Sequence, residues 1–272
     1  MMGSRLRPSA LGTYAVLFLI FLYGPVLLLP LFSVNDSIYI TFPLKGFTFN
    51  WYQQMSQNDQ MINALKASLK VAASVSVIAT TLGFIAAKAV TRFALPGRAL
   101  FVGFIMLPLI IPSLVLALAL LVVLRKILGF ELSLMTVAAG HVMLCVPFSM
   151  LILISRLEGF DRNLEEAAYD LGDSALKVLV RVTLPLVWPA IVSSLLLCFT
   201  ASFDEYLIAA FLSGSDGTLP VFIFSQLRFP QNLPGVLALG SCILVGSVIL
   251  VTLAEVVRRR GGPVKESGAL VS

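Results

Sequence analysis

Six apolar stretches, each long enough to cross a bilayer, dominate this chain: 11–34, 61–90, 99–124, 133–155, 188–212 and 235–257. About 20 apolar residues in a helix span a hydrocarbon core of ~30 Å. Inside that core every backbone N–H and C=O must find its partner within the protein, so stretches of this length form helices. The 272 residues are 58% hydrophobic and only 12% charged, against about 25% charged in an ordinary soluble domain. A soluble fold of this size cannot bury so much apolar surface. Little sequence is left between the stretches, which excludes a large extramembrane domain, a nucleic-acid-binding module and disorder. The predicted fold class is all-α and integral to the membrane, with six transmembrane helices in a single domain over 1–272.

The first stretch follows Arg5 and Arg7, as a secretory signal would. It exceeds the ~7–15 apolar residues of such signals and no A-x-A-like site follows, so it reads as a membrane helix bent at Pro25 and Pro30. Residues 35–60 are polar with interleaved Phe47, Phe49, Trp51 and Tyr52, a mixture suited to the membrane interface. They are expected to form a loop with a short helix along the surface. Lys66 and Lys70 lie early in the second span and can snorkel outward. A Gly-, Ser-, Pro- and aromatic-rich loop is expected over 213–234, and a loose polar tail after Arg258-Arg259-Arg260.

Charge position sets orientation. Of the nineteen Lys and Arg, thirteen fall on the side that holds both termini, the 91–98 turn with Lys88, and loop 156–187. Four fall on the other side, six if Lys66 and Lys70 join them. The positive-inside bias places both termini and loop 156–187 in the cytoplasm. Cys145, Cys198 and Cys242 are odd in number, lie in apolar stretches and show no C-x-x-C spacing. They read as small packing residues, not as a disulfide or zinc framework. No metal site and no cofactor are expected.

Loop 156–187 carries six acidic and four basic residues between Arg156 and Arg181. Leu164, Ala167, Ala168 and Leu171 recur at helical spacing, with acids on the other face. Asn163 is a candidate cap, and Glu165 and Glu166 suit the first turn, where the helix dipole favours negative charge. Gly172 permits a sharp turn. A second short helix over 174–182 is expected to end before Leu184-Pro185. The product is a cytoplasmic helix–turn–helix whose small Ala167 and Ala168 admit close approach of another protein. A solvated amphipathic connector is the plainer reading of the same residues.

Glu166-Ala167-Ala168, then Gly172, Val182 and Leu184-Pro185, resemble the EAA loop of ABC importer permeases. Val182 stands where Ile is usual. Ser202-Phe203-Asp204-Glu205-Tyr206, Leu212-Ser213-Gly214, Thr218-Leu219-Pro220-Val221, Leu22-Tyr23-Gly24-Pro25 and Phe32-Ser33-Val34-Asn35 look like the corresponding stretches of spermidine/putrescine-type permeases. The resemblance implies a MetI-like fold in the bacterial inner membrane, with helices two to six over 61–258 as the core and the first helix wrapped outside. It implies a non-catalytic permease subunit whose loop 156–187 docks on a separate ATP-binding subunit. Glu166, Ala167, Ala168, Gly172, Leu184 and Pro185 would be the ATPase-coupling residues. It also implies an ATPase dimer, a second similar permease to complete the pore, an extracytoplasmic solute-binding protein and a polyamine cargo moved by alternating access. The chain has no G-x-x-x-x-G-K-[ST] phosphate loop, in keeping with energy supplied by a partner.

The pathway is read from Asp204 and Glu205, the ionisable pair deepest in the first five spans. A helix starting at Trp188 would carry Asp204 about 24 Å along, into the outer half of the membrane. A carboxylate there costs several kcal/mol unless it is paired or faces water. Neighbouring helical residues point about 100° apart, so Asp204 is assigned to the pore and Glu205 to a gate or partner contact. Phe203 and Tyr206 would add cation–π contact to a passing amine. The alternative makes both acids structural partners of Lys or Arg on the second permease. His141, the one histidine, is expected to pack hydrogen-bonded between helices. Pro108, Pro112 and Pro147 are gating kinks or static bends. An ion-coupled secondary transporter would need inverted repeats and several membrane carboxylates, and a membrane enzyme would need convergent catalytic groups. The sequence shows neither. Other cargoes remain open: an opine, an aminophosphonate or a ferric ion.

Overall fold

The computed structural model describes residues 10–260, and they are almost entirely helical. The N-terminal arginines Arg5 and Arg7 and the polar tail beyond Arg260 lie outside the described residues. The chain packs as two units, one formed by its two ends and one by Asp59–Ser225.

In the central unit, α3 (Asp59–Arg92), α6 (Leu134–Glu158) and α9 (Leu184–Asp204) pack against one another. The α3 contact stripe is small: Ala64, Ala67, Ser68, Ala72, Ser76, Ala79, Thr80, Gly83, Ala86 and Ala87 are all buried. Without a hydrophobic drive between helices in lipid, small residues give stability by letting backbones approach. Gly83 marks the tightest point, because a Cβ there would overlap Ser149 Oγ on α6. The apolar core continues in two clusters. One holds Val75, Ala79, Val137, Ile208 and Leu212, and the other Ala87, Val90, Met150, Leu153 and Val187.

The stretch expected as a third span over 99–124 is not one straight helix. It is α4 (Arg98–Ile110) and α5 (Ser113–Leu121), the latter prolonged by a π-turn over Val122–Ile127, with a bend of 100° between the two limbs. Pro112 disfavours helical backbone at the residue before it, and Ile111 is extended, with ψ 129°. Among the described residues five helices are long and apolar enough to span a bilayer, and the bent pair counted as one span brings the total to six.

The fifth span is shifted relative to expectation. The helix is continuous from α8 (Ala175–Val178) through a π-turn (Leu179–Thr183) and α9 to Asp204. It breaks at Glu205, whose backbone is extended, before the short α10 (Leu207–Leu212). The acids Asp204 and Glu205 stand inside an otherwise apolar run from 188 to 212 and read as a pathway, which concealed that break. The 213–234 region holds a helix, α11 (Leu219–Gln226), and a 3₁₀ turn over Pro230–Asn232. The α11 start is fixed by the Leu219 N–H donating to Ser68 Oγ at 2.8 Å.

In the terminal unit, α1 (Ala10–Ser33) runs through Pro25 and Pro30 and contacts α12 (Leu233–Arg260). Its Tyr14, Leu17, Phe18, Phe21 and Leu27 are exposed, an apolar surface suited to lipid. The short α2 (Asn50–Ser56) forms where expected. Trp51 Nε1 donates to Asn35 O at 2.9 Å and Tyr52 Oη lies 2.7 Å from Ser33 Oγ. These two aromatics tie the loop to the end of α1.

Candidate functional site

The hairpin in loop 156–187 opens with α7 (Asn163–Asp170). Its cap differs from expectation. Asn163 is already helical, and the Asp161 carboxylate accepts the Asn163 N–H at 3.0 Å. Gly172 closes the turn with φ +87° and open space around it, a conformation that costs L side chains about 1–2 kcal/mol. The Schellman-like bonds Gly172 N–H to Tyr169 O and Asp173 N–H to Ala168 O close the helix end.

The second arm does not stop before Leu184-Pro185. Pro185 has no N–H, so the carbonyl four residues back has no helical donor. The ladder widens instead, and Leu184 N–H bonds Leu179 O in the π-turn. Leu184 and Pro185 are thus the first turn of α9, in one continuous rod with the hairpin arm. Arg156 at the end of α6 donates twice to Leu186 O, at 3.1 and 3.0 Å.

The faces of α7 divide sharply. Glu166, Ala167, Tyr169 and Leu171 are exposed, Leu171 at 88%, and Ala168 is half-buried. Leu164 and Leu176 are also exposed. Glu165, expected among the solvated acids, is 7% exposed. Its Oε2 lies 2.6 Å from Arg92 Nε, and its Oε1 accepts from Thr183 Oγ1 at 2.5 Å. The Arg92 guanidinium also sits 4.5 Å over the Phe160 ring, and Arg162 donates to Thr91 O. The pairing of Glu165 with a residue 73 positions away left no mark in the local pattern. An arginine in the last turn of α3 was the one available signal.

At the other end of α9, the four pathway candidates part company. Asp204 is the last helical residue and is exposed. It lies about 30 Å from Leu184 at 1.5 Å per residue. No ion pair reaches it among the described residues. Glu205 accepts the Ile208 N–H at 3.1 Å and so caps α10. Its carboxylate is engaged with a backbone N–H. Tyr206 packs on Phe224 of α11 with centroids 4.7 Å apart, whereas Phe203 stacks on Phe199 of its own helix at 6.0 Å.

Between these ends, α6 and α9 are joined by a ladder that sequence reasoning missed. His141 Nδ1 lies 2.8 Å from Ser202 Oγ, Cys145 and Cys198 exchange thiol-to-carbonyl contacts at 3.7 and 3.6 Å, and Ser194 Oγ donates to Ser149 Oγ at 2.8 Å. Thr80 of α3 joins the last rung at 3.0 Å. The signal was present as H-x-x-x-C-x-x-x-S on one helix and S-x-x-x-C-x-x-x-S on the other. Four-residue spacing on both places three polar pairs one turn apart on facing sides of antiparallel helices. Among the described residues no cluster of His, Cys, Asp and Glu could hold a metal.

Similarity to known proteins follows the same lines. The chain is 38% identical over 231 residues to "Putrescine transport system permease protein PotI" of Escherichia coli strain K12, covering 82% of each chain. It is 35% identical over 241 residues to "Spermidine/putrescine transport system permease protein PotC" of Haemophilus influenzae, covering 88% of this chain and 93% of that one. Its fold superimposes with a TM-score of 0.70 on a chain of the bacterial alginate ABC transporter crystallised with its alginate pentasaccharide-bound periplasmic protein, at 18% identity and 92% coverage of both. Residues 79–261 match the model for binding-protein-dependent transport system inner membrane components, and with relatives this similar over most of its length the chain belongs to that family.

Proposed function

We propose that this chain is the permease subunit of an ATP-driven importer of polyamines, forming half of the translocation pore. The observation that carries the reading is the outward face of α7. Glu166, Ala167 and Leu171 are left uncovered on a helix whose opposite side is bound down through Glu165. An exposed Leu on a short helix is a docking feature when small neighbours let a partner surface come close. The occupant is a cytoplasmic ATPase subunit, one of a dimer, which binds and hydrolyses the nucleotide for which this chain has no phosphate loop.

The cargo class is supported by the printed functions of the putrescine and spermidine/putrescine permeases that this chain resembles over most of its length. A solute-binding protein delivers the cargo, a second permease completes the pore, and both termini lie in the cytoplasm. Helices two to six form the core around the path. Gly172 and Pro185 give the hairpin its turn and its join to α9, so that motion of the ATPases tilts the helices between inward and outward openings. Asp204 is the carboxylate that meets a cationic amine, with Phe203, Glu205 and Tyr206 shaping the surroundings.

The test is assembly and hydrolysis in the purified complex. Glu166→Lys and Gly172→Val should weaken co-purification of the ATPase subunits and abolish stimulation of hydrolysis by putrescine-loaded binding protein. Unchanged assembly together with unchanged stimulation would refute the docking role of the hairpin.

A further inference from the structure

Among the ties of the α7 hairpin to the rest of the central unit is one buried carboxylate that binds two different helices. Glu165 Oε2 takes the Arg92 Nε–H from the last turn of α3 at 2.6 Å. Glu165 Oε1 takes the Thr183 hydroxyl from the π-turn that opens α9 at 2.5 Å. Arg162, one residue before α7, donates to Thr91 O and occupies a carbonyl left over at the α3 C-terminus. Phe160 lies across the Arg92 guanidinium and Thr183 has no exposed surface. Charge-assisted hydrogen bonds of this length are about twice as strong as neutral ones. Removing one partner of a buried pair leaves the other charge uncompensated.

We propose that the Glu165 carboxylate is the positioning residue that makes α3 and α9 follow the hairpin, joined to them through Arg92 and Thr183. Glu166 and Leu171 face outward one residue and six residues further along the chain, so docking and transmission use opposite sides of the same helix. A push on the outer face rotates α7 as a rigid piece. The inner face carries that rotation to α3 through the ion pair and to α9 through the hydroxyl. The π-turn is where α9 receives it, because a widened turn holds one residue outside the regular ladder and can re-register without breaking the rod. This inference rests on the importer reading above and adds the route from the docked motor to two membrane helices.

The experiment uses the whole complex in proteoliposomes, with putrescine as probe and two readouts: co-purification of ATPase subunits, and putrescine moved per ATP hydrolysed. Glu165→Gln and Thr183→Val leave the docking face untouched. Both should retain the ATPase subunits at wild-type stoichiometry. Putrescine moved per ATP should fall about tenfold for Glu165→Gln and about fivefold for Thr183→Val, the lower part of the range for coupling between distant sites. The exchanged pair Arg92→Glu with Glu165→Arg should recover part of the loss seen with either single reversal. A Glu165→Gln complex with wild-type putrescine per ATP overturns the proposal. So does loss of assembly by Glu165→Gln with no change in the ratio for Thr183→Val, which would make Glu165 a folding residue only. A wild-type complex that moves putrescine without nucleotide would instead overturn the importer reading itself, and this proposal with it.

Discussion

Replacing Gly83 with Ala tests whether the helix packing of the central unit is as close as the geometry demands. A Cβ at this position would overlap Ser149 Oγ, lie 2.6 Å from Ser149 Cβ and lie 2.9 Å from the Met150 backbone N. Two of these three atoms belong to one small side chain and one to backbone, so a rotamer change at Ser149 relieves only part of the clash. Moving Ser149 also disturbs the bond it accepts from Ser194, which in turn meets Thr80. Inserting a methyl into a packed core costs about 1–3 kcal/mol, and a membrane-buried hydroxyl pair adds about 0.6 kcal/mol when lost. Against this stands the helix propensity of Ala over Gly, worth about 1 kcal/mol. The net expectation is a loss of about 0.6–2.6 kcal/mol. For a domain of this size each kcal/mol moves the midpoint by about 2–4 °C, so thermal unfolding of the detergent-solubilised protein, followed by loss of the monodisperse size-exclusion peak, should shift down by roughly 1–10 °C. Adding Ser149→Gly should recover more than half of the shift by clearing the side-chain atoms. A Gly83→Ala protein as stable as wild type, or one that Ser149→Gly fails to improve, would refute the close approach of α3 and α6.

Three further outcomes are expected. Glu205→Ala should lose the α10 cap, costing about 1 kcal/mol, and raise amide hydrogen exchange at residues 207–212, while Glu205→Gln retains most of the protection. Ser202→Ala should leave both ring nitrogens of the buried His141 without a partner among the described residues, where Nε2 has none. That should lower the thermal midpoint by the equivalent of about 0.6–1.7 kcal/mol. Asp204→Asn should reduce uptake of radiolabelled putrescine at limiting concentration several-fold with little change at saturation, as loss of one carboxylate–amine contact of about 1 kcal/mol predicts. Full uptake at limiting substrate would remove Asp204 from the route.

The helices were legible because length and apolarity are local properties. The breaks were harder. Pro112 was visible, but a proline within an apolar run can sit in a smooth kink or a sharp bend, and the 100° turn depends on what Ser113–Ile127 packs against. At Asp204-Glu205 the break comes from a side chain outcompeting the helix for the Ile208 amide, and acids alone in an apolar run suggest a pathway before they suggest a cap. The hairpin was legible in its first arm and its Gly172 turn. In the second arm Pro185 predicts a stop from sequence, whereas in the fold a π-turn lets the ladder step around its missing N–H. Glu165 and Glu166 are neighbours of the same type in the first turn of α7, yet one is buried and one exposed. Only the position of Arg92 and Thr183 in space separates them. The α6–α9 rungs are written in four-residue spacing on both helices, but neither the hydrogen-bonded histidine expected at 141 nor the packing cysteines carry a local sign of which residue each meets across the pair.

Those rungs have a mechanical meaning. Residue numbers paired across them advance on one helix as they retreat on the other, so sliding α9 by a single turn of 5.4 Å would set His141 opposite Cys198 and leave an outer group stranded in hydrocarbon. The two helices are keyed like a ratchet with three teeth and must travel as one body. Any opening of a passage beside them has to be taken up where the chain is already irregular: at the bent elbow before Ser113, at the widened turn below Leu184, or at the gap beyond Asp204.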